Sequence, residues 1–468
     1  MPNKSLKDHR QIGQEQELFF TDEIAPGAPF WLPKGMVIFK ELEKYIRELT
    51  EKAGYQETST PVMVKSDLFK QSGHWEKFGQ GGGNDMYNLS LWEPHEITDI
   101  YSVVTQKVRS LFNSRGKDAL TNPLNIDIRF KNEDLSIRIE EVRVEGINIF
   151  LNGISLPVNY TLKPMNCPES TVLYRFRPRS YKEMPLRYSE IGRLHRREKA
   201  GEIGGLLRVR QLTMDDAHIY ATEDQIFDEV SDILDMMIAF YKSFGFEYEF
   251  RLATRPELRA GSDANWDKAE KELAEALKKK NLSAGDKLGD GAFYGPKIDV
   301  HIKDSQGREW QLATVQLDFH MPEAFKLEYI NERGDKQKPV MIHRAIFGSF
   351  ERFIAILTEH YQGAFPVWLS PVQAVIIPIT ERNNNFAASM IRIIRAGNIR
   401  IELDDRPETM QSKIRDAQIQ KIPYMLIVGD REEKENRVTV RTRGEENLGA
   451  MDINKFLDKI KEEIENKQ

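Results

Sequence analysis

Residues 187–220, RYSEIGRLHRREKAGEIGGLLRVRQLTMDDAHIY, hold two strand-like runs, 186–196 and 207–220, split by a loop of charge and glycine. Runs this close in sequence are expected to pair as neighbouring strands, which constrains the fold more than any other stretch. Arg196 and Arg208 sit where the strands face each other across that loop. Arginine presents a planar fork suited to phosphate or carboxylate, so two from adjacent strands can clamp a polyphosphate. Alternation predicts that Asp216 and His218 share a face with Arg208 and Met214. Taken alone, the same pattern also fits a solvated hairpin with ordinary surface charge. The rest of the chain has to decide.

A chain of 468 residues has room for about two to four domains and a large core. It is 40% hydrophobic and 30% charged, with a mean hydropathy of -0.53 and no apolar run near the ~20 residues of a membrane span. Residues 1–20 are polar and show no signal peptide. The single cysteine, Cys167, excludes an intramolecular disulfide and fits a reducing, cytoplasmic setting. A net charge of -6 argues against indiscriminate coating of nucleic acid, though not against a nucleic-acid partner read by one face.

Residues 1–34 read as an extended lead-in. Residues 35–53 form an amphipathic helix with Ile38, Leu42, Ile46 and Leu49 on one stripe. Residues 55–64 are a strand candidate interrupted by Pro61, which suggests an edge or a subunit boundary. The glycine-rich turn at 79–83 lacks the following helix and Lys-Ser/Thr of a phosphate loop. Residues 91–156 stand apart as an inserted helix-plus-strands subdomain: helical spacing at 97–112, strands at 124–130 and 135–144, and a hairpin turn at Asn152-Gly153. A capping box at 222–225 precedes a helix over 226–244, and Ser262 caps one over 266–280. Strands at 297–302 and 309–317 lead to a helix over 349–360. After a proline-bearing boundary at 363–371, strands and helices alternate to the end, as in a compact α/β domain.

Three further stretches join the first: LKPMNCP at 162–168, WQLATVQLDF at 310–319 with Gln311 and Gln316, and MIHRAIFGSFERF at 341–353 with His343 and Arg352. A helix followed by Pro61, then Arg196-x-Glu198, then Gly348-Ser349-Phe350-Glu351-Arg352 is the motif order of class II aminoacyl-tRNA synthetases. With KPMNCP, DDAH, YGPKID and MIHRA also present, the chain closely resembles the threonyl-tRNA synthetase family from residue 8 onward, apart from 91–156.

The resemblance implies an α+β catalytic domain over 1–365, an antiparallel sheet flanked by helices with an insertion at about 91–156. An α/β anticodon-binding domain over 366–468 follows. It implies a zinc ion, one per subunit, on Cys167, His218 and His343. These lie 51 and 125 residues apart, unlike a zinc finger, and spacing alone fits a buried thiol with two packed histidines better. Three protein ligands would leave a place for substrate. Threonine and valine are nearly isosteric, and only a site that bonds the hydroxyl can separate them by on the order of 10⁴. In the family, zinc takes the amino group and hydroxyl of threonine, and an aspartate at the position of Asp216 accepts from that hydroxyl. Serine lacks only a methyl, worth about 1–3 kcal/mol, and should leak through.

For ATP, bound with Mg²⁺, the resemblance places Arg196 on the α-phosphate, Glu198 at the adenine and Arg208 on the outer phosphates. Arg352 stacks on the adenine, and Gln311 lies nearby. Tyr294 and Met165 adjoin the threonine, and Lys297 the reacting carboxylate or phosphate. His74, in SGHW, matches a histidine that helps deprotonate the terminal ribose hydroxyl of tRNA; a packing role is its alternative. Lys421, Glu432 and Arg441 fall on anticodon-reading positions. The chain departs from the family at Leu212, where a phenylalanine often stacks on adenine, at Met214 in place of a glutamine, and at Pro407 in place of an asparagine.

The expectation is therefore a homodimeric threonine–tRNA ligase acting on L-threonine, ATP and tRNA(Thr), with Pro61 and the helix before it at the dimer interface. The family's N-terminal editing domain has no counterpart in these residues, which fits either a truncated sequence or a naturally short form; for the short form a separate trans-editing protein is expected. A related ligase for serine or proline is disfavoured by the Cys167, Asp216, His218 and His343 set. An idle synthetase-like RNA-binding regulator is disfavoured by the intact Arg196 and Arg352.

Overall fold

The computed structural model describes residues 6–76, 85–94, 101–116, 120–130, 133–145, 148–304 and 307–467, in two compact units: residues 1–60 with 165–468, and residues 61–164. The glycine-rich turn expected at 79–83, and the first residues of the helix expected at 97–112, lie outside the described residues.

The larger unit is built on an eight-stranded sheet: β1 (Gln56–Glu57), β2 (Leu186–His195), β3 (Gln211–Ala221), β4 (Tyr248–Ala253), β5 (Ala284–Lys287), β6 (Lys297–Lys303), β7 (Glu309–Asp318) and β8 (Val340–Ala345). Their order across the sheet is β5-β4-β6-β7-β8-β3-β2-β1. The six central strands pair antiparallel, and only the two edge strands join in parallel. Each central strand alternates. Ala217, Ile219, Ile298, Val300, Val315, Leu317 and Ile342 turn one way into the main core, which leaves the intervening polar residues on the opposite face.

Helices cover the apolar face. Helix α1 (His9–Glu15) opens the chain, and α2 (Pro33–Lys52) buries Ile38, Leu42 and Ile46. Helix α3 (Cys167–Tyr174) precedes β2 and lies instead on the polar face, where Ser170 Oγ is 2.9 Å from the Tyr220 hydroxyl. Helices α4 (Ile226–Ser243), α5 (Asp263–Lys279, capped by Ser262) and α6 (Phe350–His360, capped by Ser349) complete the layer. The lead-in expected to be extended thus contains α1 and a hairpin pairing Phe19–Thr21 with Pro29–Trp31. Asp8 closes a capping box with Gln11, which holds so short a helix together.

Residues 373–463 carry a second sheet, with a parallel centre: Ala374–Pro378 pairs in parallel with Ile401–Leu403 and Tyr424–Val428, and Arg437–Thr442 and Asn447–Asp452 follow antiparallel. Apolar clusters line both of its faces, as the alternating strands and helices predict. This part is tied back to the rest by Arg400, which donates to Glu41 at 2.6 Å, and by Gln420, which donates to the carbonyl of Glu15 at 3.0 Å.

The smaller unit is an antiparallel sheet in which Asn148–Leu162 pairs with Met63–Lys65, Tyr87–Pro94 and Glu133–Glu145, and the last of these with Leu124–Phe130. Val104 and Val108 of the helix Tyr101–Arg115 pack on it. The turn expected at Asn152-Gly153 is not there: Asn152 lies within a 15-residue strand, opposite Glu141. Cross-strand pairing along that length outweighs the local turn preference of Asn-Gly. Among the described residues no helix is long and apolar enough to cross a membrane.

Candidate active site and metal centre

The register of β6, β7, β8, β3 and β2 sets Lys297, Gln316, His343, His218 and Tyr188 in one lateral row. Residues directly opposite on adjacent strands share a face, so the row lies on the polar side of the sheet. Asp216, two residues before His218, joins that face. Asp215 turns away, pairs with buried Arg344 at 2.6 Å and accepts from the Ile346 amide at 2.7 Å, which welds β3 to the end of β8.

Cys167 reaches the row from the first turn of α3. The ligand atoms of Cys167, His218 and His343 lie within 4.8 Å of one another. Both histidines are buried, while Cys167 keeps some exposure as a residue. His343 Nε2 pairs with Asp318 Oδ2 at 2.9 Å, and Asp318 Oδ1 accepts from the His320 amide at 2.7 Å. His218 Nε2 is buried with no hydrogen-bond partner among the described residues; Asp216 Oδ1 is 3.9 Å away. Burial, then the charges of Asp216, Asp318 and Glu169, push the Cys167 thiol up; burial, then His343, pull His218 down. A sulfur and two nitrogens, one orphaned and one oriented by a carboxylate, suit a divalent cation of zinc's type. Asp216 itself is pushed up by burial, against a hydrogen bond from Asn166 Nδ2 at 3.0 Å.

Beside this centre lie the arginines. Arg196 stands within electrostatic reach of Glu198, Cys167, Asp216 and Tyr294, and its amide donates to Arg210 O at 2.8 Å. Burial, then Arg196 and Arg208, weaken the hold of the Arg352 guanidinium on its proton. Three guanidinium groups thus share one neighbourhood, which favours a bound polyanion. Arg208 pairs with Glu198 Oε2 at 2.7 Å and Glu202 at 3.0 Å. It lies before β3, in the loop, so strand alternation places Met214, Asp216 and His218 but not Arg208.

The other expected residues are distributed as follows. Tyr294 donates to Gln316 at 2.7 Å, its ring centroid 5.2 Å from that of His343. Lys297 pairs with buried Asp299 at 2.5 Å. Met165 is buried two residues before Cys167. Gln311 is exposed opposite His301: one extra residue, Leu312, bulges from β7 and brings Gln311 to the face of Thr314 and Gln316. Leu212 packs with Leu194 and Val209, and Met214 adjoins them. His74 belongs to the smaller unit, where its Nδ1 pairs with Ser72 Oγ at 2.8 Å. In the C-terminal sheet, Arg441 has its Nε buried with no partner among the described residues. Glu432 has both oxygens engaged, by the Gly429 amide and Thr439. Lys421 is exposed after the helix Met410–Ile419, and Pro407 in the loop before it.

Sequence reasoning assigned no role to Asn166, Asp318 or Gly192. All three lie inside stretches already singled out, so their motifs were the available signal. Gly192 makes room for the Asn166 amide, since a Cβ there would sit 2.4 Å from Asn166 Oδ1.

Residues 155–361 match the family described as tRNA synthetase class II core domain (G, H, P, S and T), and residues 373–463 match the anticodon binding domain. The chain is 42% identical over 461 residues to a threonine–tRNA ligase of Desulforamulus reducens. It is 42% identical over 467 residues to one of Caldanaerobacter subterraneus. These alignments cover 98% and 100% of the chain, which spans 62% of the length of each relative. The crystal structure described as the RNA binding domain of threonyl-tRNA synthetase from Cryptosporidium parvum superposes with a TM-score of 0.79 at 31% identity, covering 97% of this chain and 98% of that one. The chain belongs to the threonyl-tRNA synthetase family. The six antiparallel central strands are the class II core of that family, and the mixed sheet over 373–463 is its anticodon-binding part.

Proposed function

We propose that the protein is a threonine–tRNA ligase, which activates L-threonine with ATP and transfers it to tRNA(Thr). The observation that carries the reading is the Cys167, His218 and His343 centre, with Asp216 beside it, adjoining the Arg196, Arg208 and Arg352 group. An amino-acid selector and a polyphosphate clamp stand side by side.

ATP would enter with Mg²⁺, Arg196 on its α-phosphate, Arg208 on the outer phosphates and Glu198, Gln311 and Arg352 about the adenine. Arg208 then exchanges Glu198 for phosphate, and the freed carboxylate turns to the base. Threonine would lie between Asp216, Tyr294 and Met165, its carboxylate directed at the α-phosphorus. As that oxygen bonds to phosphorus, pyrophosphate leaves; Arg196 and Lys297 neutralise the charge that builds up. Cys167, His218 and His343 would hold zinc, which when bound supplies a Lewis acid for the amino and hydroxyl groups of threonine. Asp216 accepts the hydroxyl proton's hydrogen bond, a contact valine cannot offer. For transfer, His74 assists the terminal ribose hydroxyl, and Arg441, Lys421 and Glu432 meet the anticodon; the orphaned Arg441 Nε supports the first of these. We also infer a homodimer, supported by the exposed, stacked Phe20 and Phe30 rings.

ATP–pyrophosphate exchange with threonine, serine and valine, alongside metal analysis, tests this. Strong exchange with threonine, a little with serine and none with valine, at one zinc per chain, is expected. No exchange with any amino acid overturns the reading in favour of a non-catalytic RNA binder.

A further inference from the structure

Helix α1 supplies a residue that no part of the activation scheme uses. His9 is buried, and both its amide and its Nδ1 meet Glu359 Oε1, at 3.0 and 2.6 Å. Glu359 is itself buried at the end of α6 and also pairs with Arg308, which in turn bonds Asp304 Oδ2 at 2.7 Å. Burial alone would raise the Glu359 carboxyl, but the hydrogen bonds from His9 and Arg308 hold it below the usual range. It is therefore an anion and an acceptor.

The other side of the ring faces the ATP loop. The Leu206 amide donates to His9 Nε2 at 3.1 Å. A backbone N–H can only donate, so Nε2 presents a lone pair and the proton resides on Nδ1, directed at Glu359. The preceding residue, Gly205, has φ +57°, and a Cβ there would lie 2.2 Å from His9 Nε2. The imidazole fills the place where any other residue would carry its side chain. The following residue, Leu207, offers its carbonyl to Arg352 Nε at 3.0 Å. Its amide closes a turn on Gly204 O at 3.0 Å, and Arg208 comes next.

We propose that His9 is a positioning residue for ATP: by holding the Leu206 amide it fixes the Leu206–Leu207 segment against Arg352 and so sets Arg208 before the nucleotide arrives. The proposal rests on the reading that Arg208 and Arg352 meet ATP. Its physical basis is preorganisation. A loop fixed in advance need not be ordered by the ligand, and a misplacement of about 1 Å at such a site can lower rates on the order of 10²-fold.

Two near-isosteres separate positioning from folding. His9→Asn keeps a donor where Nδ1 stood and offers nothing to Leu206. His9→Gln can place an acceptor where Nε2 stood and gives up the donor to Glu359. The measurements are KM for ATP and for threonine in pyrophosphate exchange, calorimetric Kd for ATP, and hydrogen exchange of the peptide containing the Leu206 amide. For His9→Asn the expected result is a KM and Kd for ATP raised about tenfold or more, a threonine KM within about twofold of wild type, and faster exchange at Leu206. His9→Gln should stay within about threefold of wild type in ATP affinity even if its Tm falls. Equal ATP affinities for the two variants, or faster Leu206 exchange with no change in ATP affinity, overturn the proposal. Wild-type protein that binds ATP but exchanges with no amino acid overturns the ligase reading alone; protein that binds no ATP overturns both.

Discussion

Asp318 Oδ2 stands 2.9 Å from His343 Nε2, while the other oxygen of the same carboxylate caps the short helix His320–Ala324. One buried side chain therefore fixes both the orientation of the candidate ligand imidazole and the end of β7. Asp318→Asn preserves an oxygen for the helix cap and replaces the carboxylate facing His343. Zinc affinity, read by chelator competition, should fall about 10–100-fold, with thermal stability of the metal-free protein little changed. Undiminished affinity would show that His343 is oriented without Asp318.

Asp216→Asn should weaken selection at the threonine side chain. Loss of an ionised acceptor is worth roughly 1.5–3 kcal/mol, so kcat/KM for threonine should drop about 10–150-fold while KM for ATP holds. An equal loss for both substrates would place Asp216 in the framework instead.

Gly192→Ala tests the floor of the pocket. Its Cβ would meet the Asn166 amide at 2.4 Å, and Asn166 is the hydrogen-bond donor to Asp216. Threonine KM should rise about tenfold or more through the displaced Asn166, by the same loss of a charged hydrogen bond. Unchanged threonine kinetics would mean that Asn166 can move aside without disturbing Asp216.

Arg352→Lys keeps the charge and loses both the planar fork and the Nε donor to Leu207 O. The kcat/KM for ATP should fall on the order of 10²-fold, as for removal of one preorganised donor. A near-normal value would reduce Arg352 to a point charge.

Glu351 gives a pH signature. Burial pushes its carboxyl up to about 7, against a hydrogen bond from the Thr213 amide at 2.9 Å. In the unfolded chain a glutamate titrates near 4.3. The raised value means that the folded protein keeps the proton longer, so the contribution is full below about pH 4.3 and is lost as pH rises through 7. Glu351→Gln, permanently neutral, should gain on wild type between pH 5 and pH 8 by a few kcal/mol, on the order of 1.4 kcal/mol per unit of pKa. Unfolding curves at those two pH values decide it, and a constant difference between the proteins would count against it.

The strand pair around residues 187–220, the amphipathic α2 and α4, and the capped α5 and α6 were legible because apolar spacing and local caps are written in neighbouring residues. Helix α1 was missed: it buries only His9, Ile12 and Gly13 and so has no stripe, and its capping box at Asp8 and Gln11 was the signal available. Asn152-Gly153 misled because turn chemistry is local, while the pairing that straightens it runs through Glu133–Glu145. The candidate metal ligands were singled out only by motif. What brings Cys167, His218 and His343 together is strand register, a relation between distant segments that periodicity does not encode.

The extra residue at Leu312 acts as a reading-frame shift confined to one strand. Ahead of it, odd-numbered Gln311 lies on the polar face; beyond it, even-numbered Thr314 and Gln316 do. Excising Leu312 would leave Gln311 opposite His301 and Ala313 opposite Val300, a regular ladder with both faces kept, whereas adding a residue downstream would swap Gln316 with its apolar neighbours. Away from that one position, this segment can change letters far more cheaply than it can change length.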